Sequence, residues 1–546
     1  MRLSTNLRSY VGRWVALAQG RVVAVGLTVE EARIAAQLAR PKEKPRVFFV
    51  SELAAPELPG LVAEVRQALP PALRVWLVGG ALRDLFLNRR VHDFDFAVDG
   101  SALAAARAVA QVLRAAFYPL DAERDVGRVI LTRGDARFTL DFAHLRGPDI
   151  HADLAARDFT LNALAVDLAA PETLLDPLNG EGDLRIKVIR ACSRTAIADD
   201  PLRGVRAIRL AAQLNFKLDK DTRAEIRARA GMLGQVSAER RRDEFIRCLG
   251  GARPAAALRA LDLLGLLGHL APEASALKGV TQSPPHALDV WEHTLATVSR
   301  LADVLSVLAP THDVDAASEL TLGLVSVQLG RHRQALHQHL HTLLSGDRPA
   351  RWLLMLAALL HDIGKPGARV VAPDGRIRFL NHEVLGADIA ARLLTRLHFS
   401  GDEVKRAKTI VAHHMRARHL SKQEAPVTRR AIYRFFRDTG EAGVDVVLLS
   451  LADFLAKDDS RTPPQDEWAR HVGLCAQLLT AYFERPEEAV SPPALISGHD
   501  LIDEFGLEAG PQLGQLLDAV REAQAAGEIA DREAALDYVR QRLADI

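Results

Sequence analysis

A chain of 546 residues, 48% hydrophobic and 25% charged, is too long for one core and predicts about three to five domains of an ordinary globular protein. Its cysteines, Cys192, Cys248 and Cys475, are odd in number and far apart, which argues against a disulfide framework or a cysteine-held metal and points to a reducing compartment. The net charge of +1 says nothing by itself about nucleic acid, and the longest apolar run, Trp352 to Leu360, is too short to cross a bilayer.

The opening "MRLSTNLRSYVGRW" lacks the apolar centre of a secretory signal, so the expected location is cytoplasmic, with no membrane partner. Residues 1–50 read as a small α/β module of unknown role. "WVALAQGRVVAVG" predicts two strands about a Gln-Gly turn, "TVEEARIAAQLA" a helix with a capping-box pattern, and "RPKEKPRVFFV" a third strand. Residues 51–60, "SELAAPELPG", read as a linker. From 61 to 190 helices and strands alternate: helix "LVAEVRQAL", strand "RVWLV", helix "GALRDLFLN", strand "FDFAV", a long alanine-rich helix, then paired strands "RVILTR" and "RFTLDFA". The expected fold class is an α+β head, a small mixed sheet with helices, followed by all-α segments over 191–285, 286–460 and 461–546. Basic residues crowd the stretch 203–247, and charge alone leaves open a solvated helical face or a surface that tracks phosphates.

Within the head, "WLVGGALRDLFLNRRVHDFDFAVDG" carries the first chemistry. Residues two apart on a strand share a face, so Asp93 and Asp95 point together while Phe94 faces a core. Two such carboxylates suit a hard divalent cation, most naturally Mg2+ with phosphate oxygens completing its shell. Gly79 and Gly80, between strand and helix, let phosphates approach backbone N–H groups. Asp141, in "RFTLDFA", is on a plausible neighbouring strand and would supply a third carboxylate.

"GGALRDLFLNRRVHDFDFAV" resembles the head of the class II tRNA nucleotidyltransferase and bacterial poly(A) polymerase superfamily, and further motifs follow in order. "ARDFTLNALAVD" resembles the second head motif, which implies that Arg157 and Asp158 contact ribose and phosphate, with Asn162 beside them and Arg83 in the first motif also at the nucleotide. "LLDPLNGEGDLRIKVIR" resembles the connection from head to neck. "DDPLRGVRAIRLAAQLNF" resembles the base-reading neck motif, with Asp200, Arg203, Arg206 and Arg209, and "SAERRRDEF" the last neck motif. "ISGHDLIDEFGLEAGPQLGQLL" is similar to the end segment of many such enzymes. The resemblance implies template-independent addition of C and/or A, from CTP and/or ATP, to the acceptor arm of tRNA at its 3′ end. Asp200 and Arg203, three apart, are expected on one helix face. An aspartate accepts from the amino group of cytosine or adenine while an arginine donates to the ring nitrogen, and uracil and guanine reverse both roles. The family's Glu-Asp is here Asp199-Asp200. Only "GPDIHA" separates "FTLDFAHLR" from "DLAARDF", where many complete CCA-adding members carry a longer loop and CC-adding members resemble this shorter one. CC addition, full CCA addition, A addition and poly(A) synthesis all stay open, although the tail "EIADREAALDYVRQRLADI" is less basic than a poly(A) polymerase suggests.

The second constellation is "MLAALLHDIGKPG", which sets His361-Asp362 at the end of an apolar helix, with His293, His382, His413, His414 and Asp453 on other predicted helices. Imidazoles and carboxylates converging from several helices are how bundles hold metal. Residues 286–460 resemble the HD phosphohydrolase superfamily. That implies one divalent metal on His293, His361, Asp362 and Asp453, further ligands for two metals in His382, His413 and His414, and phosphoester hydrolysis as a second activity. The metal's identity, the substrate and the oligomeric state are left open by the residues. The rival readings keep this hydrolase as the main activity, with the head as an RNA tether, or make the chain an RNA-binding protein.

Overall fold

The computed structural model describes residues 10, 13–19, 21–50, 55–284, 286–313, 319–423, 426–457 and 463–544. Residues 1–9, which carry most of the signal-peptide argument, and 51–54 of the expected linker lie outside the described residues. The chain divides into two compact units, Met1–Met232 and Leu233–Ile546.

The first unit holds two sheets. Arg13–Ala18 pairs antiparallel with both Arg21–Gly26 and Arg46–Val50, and helix Val29–Ala39 is capped by the Thr28 hydroxyl accepting from the Glu31 amide. The larger sheet has seven strands in the order Leu174–Leu175, Ala165–Asp167, Arg74–Val78, Asp93–Asp99, Ala136–His144, Val126–Arg133 and Ala116–Asp121. Asp93–Asp99 and Ala136–His144 run parallel and the other pairs antiparallel, so the sheet is mixed. The edge strand Ala116–Asp121 has no counterpart in the sequence reading. Its Pro119 argues against a central strand but is tolerated at an edge. Phe94, Phe96, Phe142, Leu140 and Leu77 form one buried face, with the Phe96 and Phe142 rings stacked 4.8 Å apart, and Trp76 packs on the opposite face with Val78 and Ala97. Helix Ala102–Leu113 covers this sheet. Its N-terminus is held twice, by Ser101 and by the Asp125 carboxylate accepting from the Ala102 and Leu103 amides at 2.7 and 2.9 Å. Beyond the sheet come helices Leu202–Leu214 and Lys220–Arg229, joined by the parallel pair Val188–Ile189 and Lys217–Leu218.

The second unit is helical apart from short hairpins. At its centre every residue of helix Ala442–Leu455 is buried, as an all-round apolar helix must be. Around it lie Val290–Val307, Ala350–Leu360, His382–Arg396 and Gly401–His413. The last helices, Gly498–Phe505, Pro511–Ala526 and Arg532–Ala544, close a core of their own about Leu501, Leu516, Val520 and Val539.

Candidate active sites

In the first unit, the turn out of Arg74–Val78 places Gly79 at φ +79°, before helix Gly80–Phe86. A Cβ there would sit 3.1 Å from Arg157 Nη1 and 3.2 Å from Asp95 Oδ2, so glycine is required by both backbone and space. Asp95 and Asp141 are register partners on the parallel strands, and Asp93 and Asp95 share a solvent-facing side. Surrounding protein raises the pKa of Asp95, Arg157 opposes the shift, and the like charges of Asp141 and Asp93 add to it. A cation between these carboxylates relieves that repulsion, so the residues present fit a hard divalent ion. Asp141 differs from the other two, because Arg128 takes both its oxygens at 2.8 Å. It is a shaped and partly neutralised neighbour rather than a free ligand.

Asp95 opens into a cavity of about 190 Å3 lined by Gly79, Gly80, Arg146, Arg157, Asp158, Asn162, Arg203 and Arg206 as well. Arg157 is oriented by Asp153, whose Oδ2 accepts from Nε at 3.0 Å and faces Nη2 at 2.9 Å. Asp158 accepts from the Phe159 amide at 2.8 Å and from Asn162 Nδ2 at 3.0 Å, and its other oxygen lies 3.2 Å from Arg206 Nη1. Burial opposes charge on Asp158, but Arg206 and these donors outweigh it and hold its pKa below the usual range. Asn162 in turn accepts from Arg83 Nη1 at 2.7 Å. Arg83 is buried and also grips Asp84, so it props Asn162 from behind and is not part of the lining, a correction to its expected place at the nucleotide.

The neck motif is also corrected in part. Helix Leu202–Leu214 starts after Pro201, and Asp200 is extended at φ −146° and ψ 97°, because a residue before proline is driven out of the helical region. Asp200 and Arg203 therefore do not share a helix face. Asp200 accepts from the Leu202 amide at 3.3 Å and is not in the cavity lining. Arg203 does line it, held by the carbonyls of Ala156 at 3.0 Å and of Arg157 and Ala196 at 3.3 Å. Arg209 lies beyond Arg206 on the same helix, outside the lining. Sequence reasoning missed Arg146, whose only signal was its place just past the strand Ala136–His144.

In the second unit, two groups of three ligand atoms gather, each within 4.8 Å: His293, His361 and Asp453, and Asp362, His382 and His414. The Nδ1 atoms of His361, His382 and His414 each lie 2.7–2.8 Å from the carbonyl three residues earlier, and that of His293 lies 3.2 Å from the Ala456 carbonyl. These contacts turn all four Nε2 atoms inward as acceptors. Those four nitrogens are buried without hydrogen-bond partners among the described residues. Orphaned polar atoms this concentrated fit one or two divalent metals. Asp362 links the groups, lying 3.2 Å from His361, 3.5 Å from His293 and 3.4 Å from His382. Despite burial, His361 and Lys365 keep its carboxyl well below the usual range, and burial pushes His414 down to about 3. His413 is the exception to the expected set. It belongs to neither group, since adjacent helical residues diverge by about 100° about the axis and only His414 faces inward. Lys365, whose Nζ lies 2.6 Å from Asp362, and His286, whose ring packs 5.3 Å from His293, were missed. Lys365 was legible in "HDIGKPG"; His286 carried no pattern.

The family model for the poly A polymerase head domain matches residues 75–190, that for a probable RNA-binding site of the polymerase 215–278, and that for the HD domain 325–457, while residues 6–52 match a family of unknown function. The fold and the cleft thus define a nucleotidyltransferase. The chain is 34% identical to an A-adding tRNA nucleotidyltransferase of Deinococcus radiodurans, over 85% of this chain and 94% of the relative. It is 33% identical to a CC-adding tRNA nucleotidyltransferase of Thermus thermophilus, over 85% and 92%. It belongs to the tRNA nucleotidyltransferase family. A solved CCA-adding enzyme shares the fold at TM-score 0.53 and 18% identity, covering 88% of this chain and 92% of the other.

Proposed function

We propose that the enzyme adds C residues to the 3′ end of tRNA in the cytoplasm, taking CTP without a template. The gathering of Gly79, Asp95, Arg157, Asp158, Arg203 and Arg206 around one cavity carries this reading. Support for C addition comes from the short connection between strand Ala136–His144 and helix Ile150–Ala155, and from the CC-adding relatives of Thermus and of Geobacter sulfurreducens, the latter 32% identical over 90% of this chain. The working division is a module at 1–50, a head at 61–190, a neck at 191–285, an HD domain at 286–460 and a tail at 461–546.

In the reaction the tRNA 3′-oxygen bonds to the α-phosphorus of CTP, the bond to the β-phosphate oxygen breaks, and pyrophosphate leaves. Asp93 and Asp95 would hold Mg2+, which would supply charge neutralisation at the reacting phosphate. Arg157, fixed by Asp153, binds the triphosphate, and the open turn at Gly79 lets it approach the backbone. Arg203, in the cavity lining, donates to the ring nitrogen of cytosine. The acceptor arm is held through its phosphates by basic side chains of the neck. In the HD domain, His293, His361, Asp362, His382, His414 and Asp453 would hold divalent metal, which would supply Lewis-acid activation for phosphoester hydrolysis.

The test uses tRNA transcripts ending before the first C, after CC and after CCA, each with labelled CTP, ATP or both. Two C residues followed by a stop, with ATP present, is the expected result. Addition of A alone to the CC-ended transcript favours a second reading, A addition, which the Deinococcus relative supports. Completion of CCA, or a long A ladder, overturns both.

A further inference from the structure

Beside the HD cluster lies a second cavity, of about 200 Å3, that the reactions above do not use. Among the described residues its walls carry four cations, Arg418, Lys422, Lys457 and Arg470, against one carboxylate, Glu467. Among the described residues, none of Lys422, Lys457 and Arg470 has an ion-pair partner. Burial pushes Lys457 down to about 8, and Arg418 and Lys422 add to that shift. Like charges gathered around a concavity repel one another unless an anion enters.

The cavity is built rather than incidental. Phe454 is buried and forms its floor, with Lys457 Nζ 4.1 Å and the Arg418 guanidinium 5.7 Å from the ring centroid. Ser421, on the wall, lies 3.0 Å from Nδ1 of the fully buried His471, whose ring stacks on Phe454 at 5.0 Å. Arg418 is the hinge between the two sites, because its Nη1 also lies 3.8 Å from Asp453 Oδ2, on the HD cluster. An anion in the cavity is therefore next door to the group that the HD domain would hydrolyse.

We infer that this basic cavity binds a second phosphate of the HD substrate, so that the preferred substrate is a nucleotide carrying two phosphate groups. One phosphoester lies at the cluster and the other phosphate, across the ribose, lies among Lys422, Lys457 and Arg470. A terminal RNA nucleotide has this chemistry, with a phosphate on its 3′ side and the internucleotide phosphate on its 5′ side. So does a free nucleoside bisphosphate. The inference rests on the hydrolase reading given above.

The test uses the full chain loaded with Mn2+. Wild type and Lys422→Ala/Arg470→Ala, both exposed positions, are compared on p-nitrophenyl phosphate, adenosine 3′-monophosphate and adenosine 3′,5′-bisphosphate. The expected result is a KM for the bisphosphate raised about tenfold in the variant with kcat kept, p-nitrophenyl phosphate kinetics unchanged, and recovery in Lys422→Arg/Arg470→Lys. Unchanged bisphosphate kinetics, or equal losses on all substrates, overturns the inference. If wild type hydrolyses none of the three, the hydrolase reading fails alone, and equilibrium binding decides the cavity. Tighter binding of the bisphosphate than the monophosphate, lost in the variant, upholds it, and equal binding overturns it. A 3′-phosphorylated dinucleotide that saturates below the free bisphosphate identifies an RNA end as the source, and the reverse order a free nucleotide. Equal competition by RNA lacking a terminal phosphate overturns the inference in favour of general backbone binding.

Discussion

Gly79 is where backbone, carboxylate and guanidinium meet, and it shows how closely the first site depends on single atoms. Gly79→Ala forces a side chain into left-handed φ and against Arg157 and Asp95. The expected cost is about 1–3 kcal/mol of stability, with nucleotide incorporation falling at least about a hundredfold, measured by denaturant melts and primer extension. Asp95 makes the opposite trade. Its pKa is raised in the folded state, so folding favours the protonated form, and the charged form opposes folding at all pH values above the raised one. Asp95→Asn should lose at least about a hundredfold in activity yet melt at a higher temperature than wild type at pH 8. The difference should vanish near pH 3, where both folded and unfolded carboxyls hold their proton. A melting difference that stays constant with pH would sink this account.

At the scale of elements, sites are made where two segments meet at closer than side-chain distance. A Cβ on Gly364 would lie 2.1 Å from the His382 carbonyl oxygen and 2.6 Å from the Gly386 amide nitrogen, so the turn after His361-Asp362 touches helix His382–Arg396 backbone to backbone. Gly364→Ala should push that helix away, carry His382 off the cluster and cost about 1–3 kcal/mol, while nucleotide incorporation at the head is kept. Metal content after dialysis against Mn2+ reads the first effect directly. Elements also explain what the sequence did and did not disclose. Asp93, Phe94 and Asp95 were legible because strand alternation fixes their sides, and His361-Asp362 because the apolar helix before it announces where it ends. Asp200 was misplaced because helical spacing was carried back across Pro201, where the residue before a proline cannot join the helix. Arg83 was misassigned for a different reason. Its motif said that it matters, but only the structure says that it supports Asn162 instead of facing the cavity. Arg146 and Arg418 were silent, because each gains its place through contacts between segments far apart in the chain.

For the whole molecule, the two clusters lie in separate compact units, Met1–Met232 and Leu233–Ile546, and share no residue. Their chemistries should separate cleanly. Asp93→Ala is expected to abolish incorporation of labelled CTP and leave Mn2+-dependent phosphoester hydrolysis intact, and His361→Ala to do the reverse. Loss of both activities in either variant would mean that the sites are coupled. The overall plan, an α+β head followed by helices, was legible from the change in periodicity near residue 195. The role of the first 50 residues was not, since their sheet carries no chemistry. The structure nevertheless gives them contacts at the connection before helix Ile150–Ala155, where Arg46 grips Asp149 through two hydrogen bonds and Phe48 packs 5.3 Å from His151.

The carbonyl contacts behind the histidines have a last consequence. His361 and His414 are aimed by carbonyls one helical turn earlier and His382 by the Phe379 carbonyl of the strand before its helix, so local backbone geometry shapes the mould for the metal. A small zinc domain folds around its ion and falls apart when a chelator removes it. This bundle, with its helix Ala442–Leu455 buried throughout, is instead expected to keep its helical circular dichroism when a chelator removes the metal. Ions can then be exchanged in the folded protein, and the identity of the resident metal follows supply in the surrounding medium more than the history of folding.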